Sequence, residues 1–224
     1  MSETTARLRI TRRSGKVRVV AEPGSALAVD GGTFVENDDG TVDVRAGGSA
    51  VLEVHCPTGS DLTISTASGA IDVEGDAGSV KVTTKSGNLS IERATAVDAR
   101  GASGRVKVGV CTGNWHVVFV SSNVHIVEAA QAVVATVSGN IELGSVGDAE
   151  VKTVSGKISI GAKRGGRLAA RSISGSVKIS LPSGSRPATR LKAVSGHVRN
   201  ECESGHDGEV RAATVSGAIS VTCR

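Results

Sequence analysis

Apolar and polar residues alternate with a period of two along most of this chain, in short stretches set on either side of a Ser-Gly pair. Ala149-Glu150-Val151-Lys152-Thr153-Val154-Ser155 leads into one such pair, and Lys157-Ile158-Ser159-Ile160 leads out of it. Alternation of this kind, rich in β-branched residues, predicts strands with one buried face, and no stretch carries the 3.6-residue period of a helix. The pair returns at Ser68-Gly69, Ser86-Gly87, Ser103-Gly104, Ser138-Gly139, Ser155-Gly156, Ser174-Gly175, Ser195-Gly196 and Ser216-Gly217, with a degenerate copy at Ser121-Ser122-Asn123. The interval is 17 to 21 residues. A fixed period this short is the mark of a solenoid with one coil per repeat.

The pattern therefore predicts an all-β, single-stranded parallel β-helix (a β-solenoid) of about nine coils of 17–21 residues. Glycine after each serine marks the corner, where a residue without Cβ takes unusual backbone angles. A left-handed hexapeptide helix needs an aliphatic residue at every sixth position. Six and twelve on from Ile141 stand Gly147 and Thr153, so a right-handed form is the expectation. Residues 61–224 form the regular body, one continuous domain. Residues 1–60 keep no period and are expected to form an irregular N-terminal cap. Arg12 to Val19 and Asp39 to Val44 look like distant copies of the repeat. Asn37, Asp39 and Asp43 have some features of a calcium loop but lack its chelating Glu, so Asp38-Asp39-Gly40 reads as a turn.

Composition bears on the core. With one Trp, two Phe and no Tyr, the interior has to be filled by Val, Ile, Leu and Ala, which suits narrow stacked coils. Trp115 is expected to cap a corner. No apolar run approaches the roughly 20 residues that span a bilayer, and the first residues lack the apolar segment of a secretory signal. A cytoplasmic location is the expectation. In that compartment Cys56, Cys111, Cys202 and Cys223 read as four free thiols, with a metal site at Cys202, His206 and His197 as the alternative.

Leu52-Glu53-Val54-His55-Cys56-Pro57-Thr58-Gly59-Ser60-Asp61-Leu62, followed by Thr66-Ala67-Ser68-Gly69-Ala70-Ile71-Asp72-Val73, resembles the bacterial putative-adhesin β-strand-repeat family, a domain of unknown function. Its Thr-Val-Ser-Gly motif stands at Thr136–Gly139, Thr153–Gly156 and Thr214–Gly217, and the resemblance covers about residues 40–224. It implies a single-chain β-solenoid with no established catalytic residues.

Charge is unevenly placed. Residues 1–150 hold 13 basic and 18 acidic residues, whereas 151–224 hold 13 and 4. Three functions follow as expectations. The first is a non-catalytic structural or interaction protein that forms a homo-oligomer. The chain stops directly after a repeat, which suggests an open C-terminal coil around Val221. The residues before successive Ser pairs include Val120, Val137, Val154, Ile173, Val194 and Val215, an aliphatic column that faces either core or solvent. The second is a polyanion-binding module using Lys152, Lys157, Lys163, Arg164, Arg167, Arg171, Lys178, Arg190 and Lys192. The third is a carbohydrate-active β-helix. The outward column from Asp72 to Ser220 brings no two carboxylates within the roughly 5–9.5 Å of a glycosidase pair, so the chain is expected not to be an enzyme. No cofactor and no small-molecule substrate is implied.

Overall fold

The computed structural model describes residues 5–48, 50–163 and 165–224. The chain is an all-β parallel solenoid and forms two compact units that divide after Thr112. No helix is present among the described residues, and none is long and apolar enough to cross a membrane.

In the first unit the strands are β1 (Arg7–Arg12), β2 (Val17–Glu22), β3 (Ala28–Asp30), β4 (Thr33–Glu36), β5 (Thr41–Ala46), β6 (Leu52–Pro57), β7 (Asp61–Ser68), β8 (Ile71–Ser86) and the start of β9 (Leu89–Ser138). Each coil contributes two strands with a corner between them. β1 pairs in parallel with β5 on one side and β7 on the other, and β2 likewise with β6 and β8. The first coil in sequence is thus the second in space, lying between coil 41–57 and coil 61–75. The outermost coil is covered by antiparallel strands, β3 on β6 and β4 on β5. Between β4 and β5 the Asn37–Thr41 turn closes on backbone bonds, and Asp39 Oδ1 accepts the Thr41 N–H at 2.9 Å.

The second unit holds the rest of β9 together with β10 (Ile141–Ser155), β11 (Ile158–Ala162), β12 (Arg167–Ser174), β13 (Val177–Leu181), β14 (Ala188–Ser195), β15 (Val198–Asn200), β16 (Glu209–Ser216) and β17 (Ile219–Cys223). Again the chain exchanges coils. β16 pairs with both β12 and β14, and β17 with both β13 and β15, all in parallel. The last coil in sequence lies inside the stack and coil 188–200 is outermost. The expected open C-terminal coil is therefore corrected: β17 has a neighbour on each side, and Val221 is 0% exposed in the core.

The cores are aliphatic ladders, such as Ile71 over Leu89 in the first unit and Val124, Ile141, Ile158 and Val177 in the second. The corners explain the Ser-Gly period. Gly139, Gly156, Gly175, Gly217 and Gly196 hold φ between +121° and +155°, and a Cβ on each would collide with a backbone carbonyl of the adjoining coil. Only glycine satisfies both demands. Two residues before most of the repeat serines stands a buried hydroxyl: Thr66, Thr84, Thr136, Thr153, Ser172 and Thr214. Thr136 Oγ1 donates to Thr153 Oγ1 at 3.1 Å, and Thr153 Oγ1 donates to the Ser155 carbonyl at 3.2 Å. At the degenerate corner Ser122 is buried and its hydroxyl has no partner. Trp115 is fully buried.

Candidate functional site

The inward threonines decide which way the aliphatic column points. Val151 and Thr153 are both buried, so alternation turns Val154 outward before the corner returns Ile158 to the core. The same holds along the second unit, where Val120, Val137, Val154, Ile173, Val215 and Val194 are 42–72% exposed. Strand register stacks Val154 beside Ile173, Ile173 beside Val215, and Val215 beside Val194. Six strands at the usual spacing make a stripe about 24 Å long. The coil exchange places Val215 before Val194, an order that sequence counting inverts.

Beside this stripe runs a basic column. Register aligns Lys152 with Arg171, Arg171 with Ala213 and Ala213 with Lys192, and the neighbouring column aligns Arg211 with Arg190. Glu150, Ala169, Arg171, Arg190, Lys192 and Arg211 line an open cleft of about 430 Å³. Its floor is low because Ala169 and Ala213 stand between longer side chains. Lys152 is paired with Glu150 at 2.6 Å, and that bond holds the Glu150 carboxyl below the usual range, with Arg171 adding to the effect. Arg211 is paired with Glu209 at 2.5 Å. Arg171, Arg190 and Lys192 form no ion pair among the described residues. Arg211 was absent from the expected basic set because it lies past an acidic stretch in sequence, and only the coil exchange brings it beside Arg190.

The remaining basic residues go elsewhere. Lys178 lies in the second-strand ladder between Ser159 and Ser220. Lys163 Nζ is bound to Glu128 at 2.6 Å, and Arg167 approaches Glu209 at 3.9 Å while its N–H donates to Asp148. Lys157 is exposed at a corner, where its N–H donates to Asn140 Oδ1. Arg164 lies outside the described residues. The basic region of the sequence is thus split between faces, and part of it is neutralised.

One expectation about cysteine is corrected. Cys202 and Cys223 form a disulfide, so Cys202 is not available as a thiolate ligand, while Cys56 and Cys111 are buried and belong to no disulfide. The coil exchange brings the two partners together, with the loop after β15 meeting the end of β17. Their separation of 21 residues along the chain gave no such signal.

A family model described as Toastrack DUF4097 matches residues 3–222. No curated protein matches the chain. Among solved structures, one described as a putative cell adhesion protein from Clostridium sporogenes aligns at 11% identity and a TM-score of 0.29, covering 98% of this chain and 93% of the other. A second, described as a putative adhesin from Bacteroides fragilis, aligns at 12% identity and a TM-score of 0.43, covering 99% and 94%. Likenesses this distant add nothing to what strand register and the family match provide.

Proposed function

As the chain belongs to the Toastrack DUF4097 family, we propose that it is a non-catalytic interaction domain that self-associates through the exposed aliphatic column of its second unit. This is the β-solenoid family of unknown function indicated by the repeated Thr-Val-Ser-Gly motif. The observation that carries the reading is the in-register stack of Val120, Val137, Val154, Ile173, Val215 and Val194, all facing solvent. Contiguous apolar surface of this length characterises interfaces. The test is solution mass by light scattering over a hundredfold concentration range. Val154→Asp should keep the β-sheet circular dichroism signal and lose the oligomer. An unchanged mass would overturn the reading.

A second reading is favoured by the cleft at Arg171, Arg190, Lys192 and Arg211, which supports binding of a polyanion through charge alone, since the cleft has no aromatic side chain for stacking bases. Retention on heparin beyond about 0.3 M salt, lost in Arg171→Ala with Arg190→Ala, is the expected result. Elution near 0.1 M would exclude it. The Cys202–Cys223 cystine weighs toward an oxidising compartment rather than the cytoplasm, where such bonds are rare. Thiol alkylation in denaturant, without reductant, of protein taken from its native host before any exposure to air tests this: two protected cysteines are expected.

A further inference from the structure

The outermost coils of the two units are finished differently. In the first unit, coil 41–57 is covered by β3 and β4. In the second, no strand among the described residues pairs with the outer edge of β14 and β15. That edge leaves Leu191 only half buried, with Val194 at 72% and Val198 at 46% exposed. An open strand edge with apolar side chains is a template for adding another strand.

The two finishes have opposite charge. From Pro23 to Val44 there are five acidic residues and no basic one, and β4 itself is exposed throughout, with Phe34 at 51% and Val35 at 63%. Asp30, Glu36 and Asp38 form no ion pair among the described residues. From Arg186 to Asn200 there are four basic residues and no acidic one. Arg186 and Arg199 are paired with Glu203 and Glu201, whereas Arg190 and Lys192 on β14 are unpaired.

We propose that the occupant of the β14–β15 edge is the acidic β3–β4 surface of a second copy of this chain, so that copies join head to tail. Both surfaces are apolar at the centre and carry complementary unpaired charge, the arrangement that fixes register and favours encounter. Pairing of β14 with β14 of another copy would instead set Arg190 and Lys192 against their own kind, and like charges opposite one another across a strand pair are destabilising. A heterologous contact leaves one free surface on each end of every pair, so it continues until a ring closes or a filament grows. The inference rests on the reading of the chain as self-associating, but not on the aliphatic column.

Charge reversal with mixing tests it. One chain carries Arg190→Glu and Lys192→Glu, another carries Glu36→Lys and Asp38→Lys, and all are also made in the Val154→Asp background. Each reversed chain alone should fall at least tenfold in apparent association constant. Mixed in equal amounts they should regain assembly, because the acidic β4 surface of one meets the intact basic β14 edge of the other, and the two reversed surfaces are complementary in turn. A chain with all four reversals should regain assembly. If β14 reversal alone lowers the mass and the β4 reversal does not, the edge pairs with itself and the inference is overturned. Failure of the mixture to associate overturns it too. An oligomer that responds to Val154→Asp but to no reversal overturns the inference and leaves the proposed function standing. A wild-type chain that is monomeric throughout overturns both.

Discussion

At the scale of single residues, the solenoid depends on positions where one side chain fits and its nearest relatives do not. Gly156 is one: its φ of +137° is costly for any L side chain, and its missing Cβ is the space through which the Gly139 carbonyl passes. Gly156→Ala should cost at least ~2 kcal/mol in chemical denaturation, from backbone strain and overpacking together. Gly40→Ala meets no neighbouring atom at its turn and should cost less. Arg12 is another such position. It sits beside Thr66 in strand register, where later coils carry a small hydroxyl, and its buried guanidinium donates to the carbonyls of Ser14, Lys16, Gly48 and Ala50. Arg12→Met would leave those carbonyls short of a donor and should cost about 2–3 kcal/mol. The cysteines separate by chemistry. Burial pushes the Cys56 thiol above its ordinary value, so little reactive thiolate forms at neutral pH. Under native, non-reducing conditions no cysteine should be alkylated rapidly. Unfolding without reductant should release two thiols, and adding reductant should release four.

At the scale of elements, the strand pattern and corners were legible in the sequence because each is a local demand. A period-two stretch must bury one face, and a stacked corner without room for Cβ must be glycine. The outward direction of Val154 was not legible from parity alone, because the corner resets the alternation. The inward Thr153 settles it. Coil order was not legible either. Ser195-Gly196 and Ser216-Gly217 are equivalent repeats, and nothing in either says which stacks on Gly175. Gly217 stacks there and Gly196 lies beyond it. That exchange in turn hid Arg211 from the basic cluster and the cystine from any reading of spacing. The exchange makes coil 188–200 the outermost of its unit, bonded to the stack through one edge only, with the disulfide tying its following loop to β17. Cys202→Ser with Cys223→Ser should lower stability by about 3 kcal/mol if the bond acts on loop entropy. Hydrogen exchange should quicken first in β14 and β15, the elements with fewest partners. Uniform loss of protection over β10 to β17 would show that the cystine holds the whole unit rather than its last coil.

At the scale of the whole molecule, charge is arranged so that pH and salt act on different things. Glu74 is held below the ordinary carboxylate range by its hydrogen bonds to Arg18, Asp39 by the Thr41 N–H, and Glu150 by Lys152. A lowered folded-state pKa adds stability that is present above the unfolded value, about 4 for these groups, and is lost as pH falls through the folded value. The melting temperature should therefore hold from pH 7 to 5 and decline below about pH 4, less steeply in Glu74→Gln. All three groups are exposed, so each effect is small. Salt divides the two routes of assembly by sign. Association through the aliphatic column buries apolar surface and should hold or strengthen in sulfate, which is excluded from protein surface. Association between the acidic β3–β4 surface and the basic β14 edge should weaken as sodium chloride rises from 20 to 500 mM, since the Debye length falls from roughly 20 Å to about 4 Å. Light scattering at fixed protein concentration across both salts reads the balance. Loss of mass in chloride together with persistence in the Val154→Asp chain at low salt would assign assembly to the charged ends. Mass that is flat in chloride and rises in sulfate would assign it to the stripe.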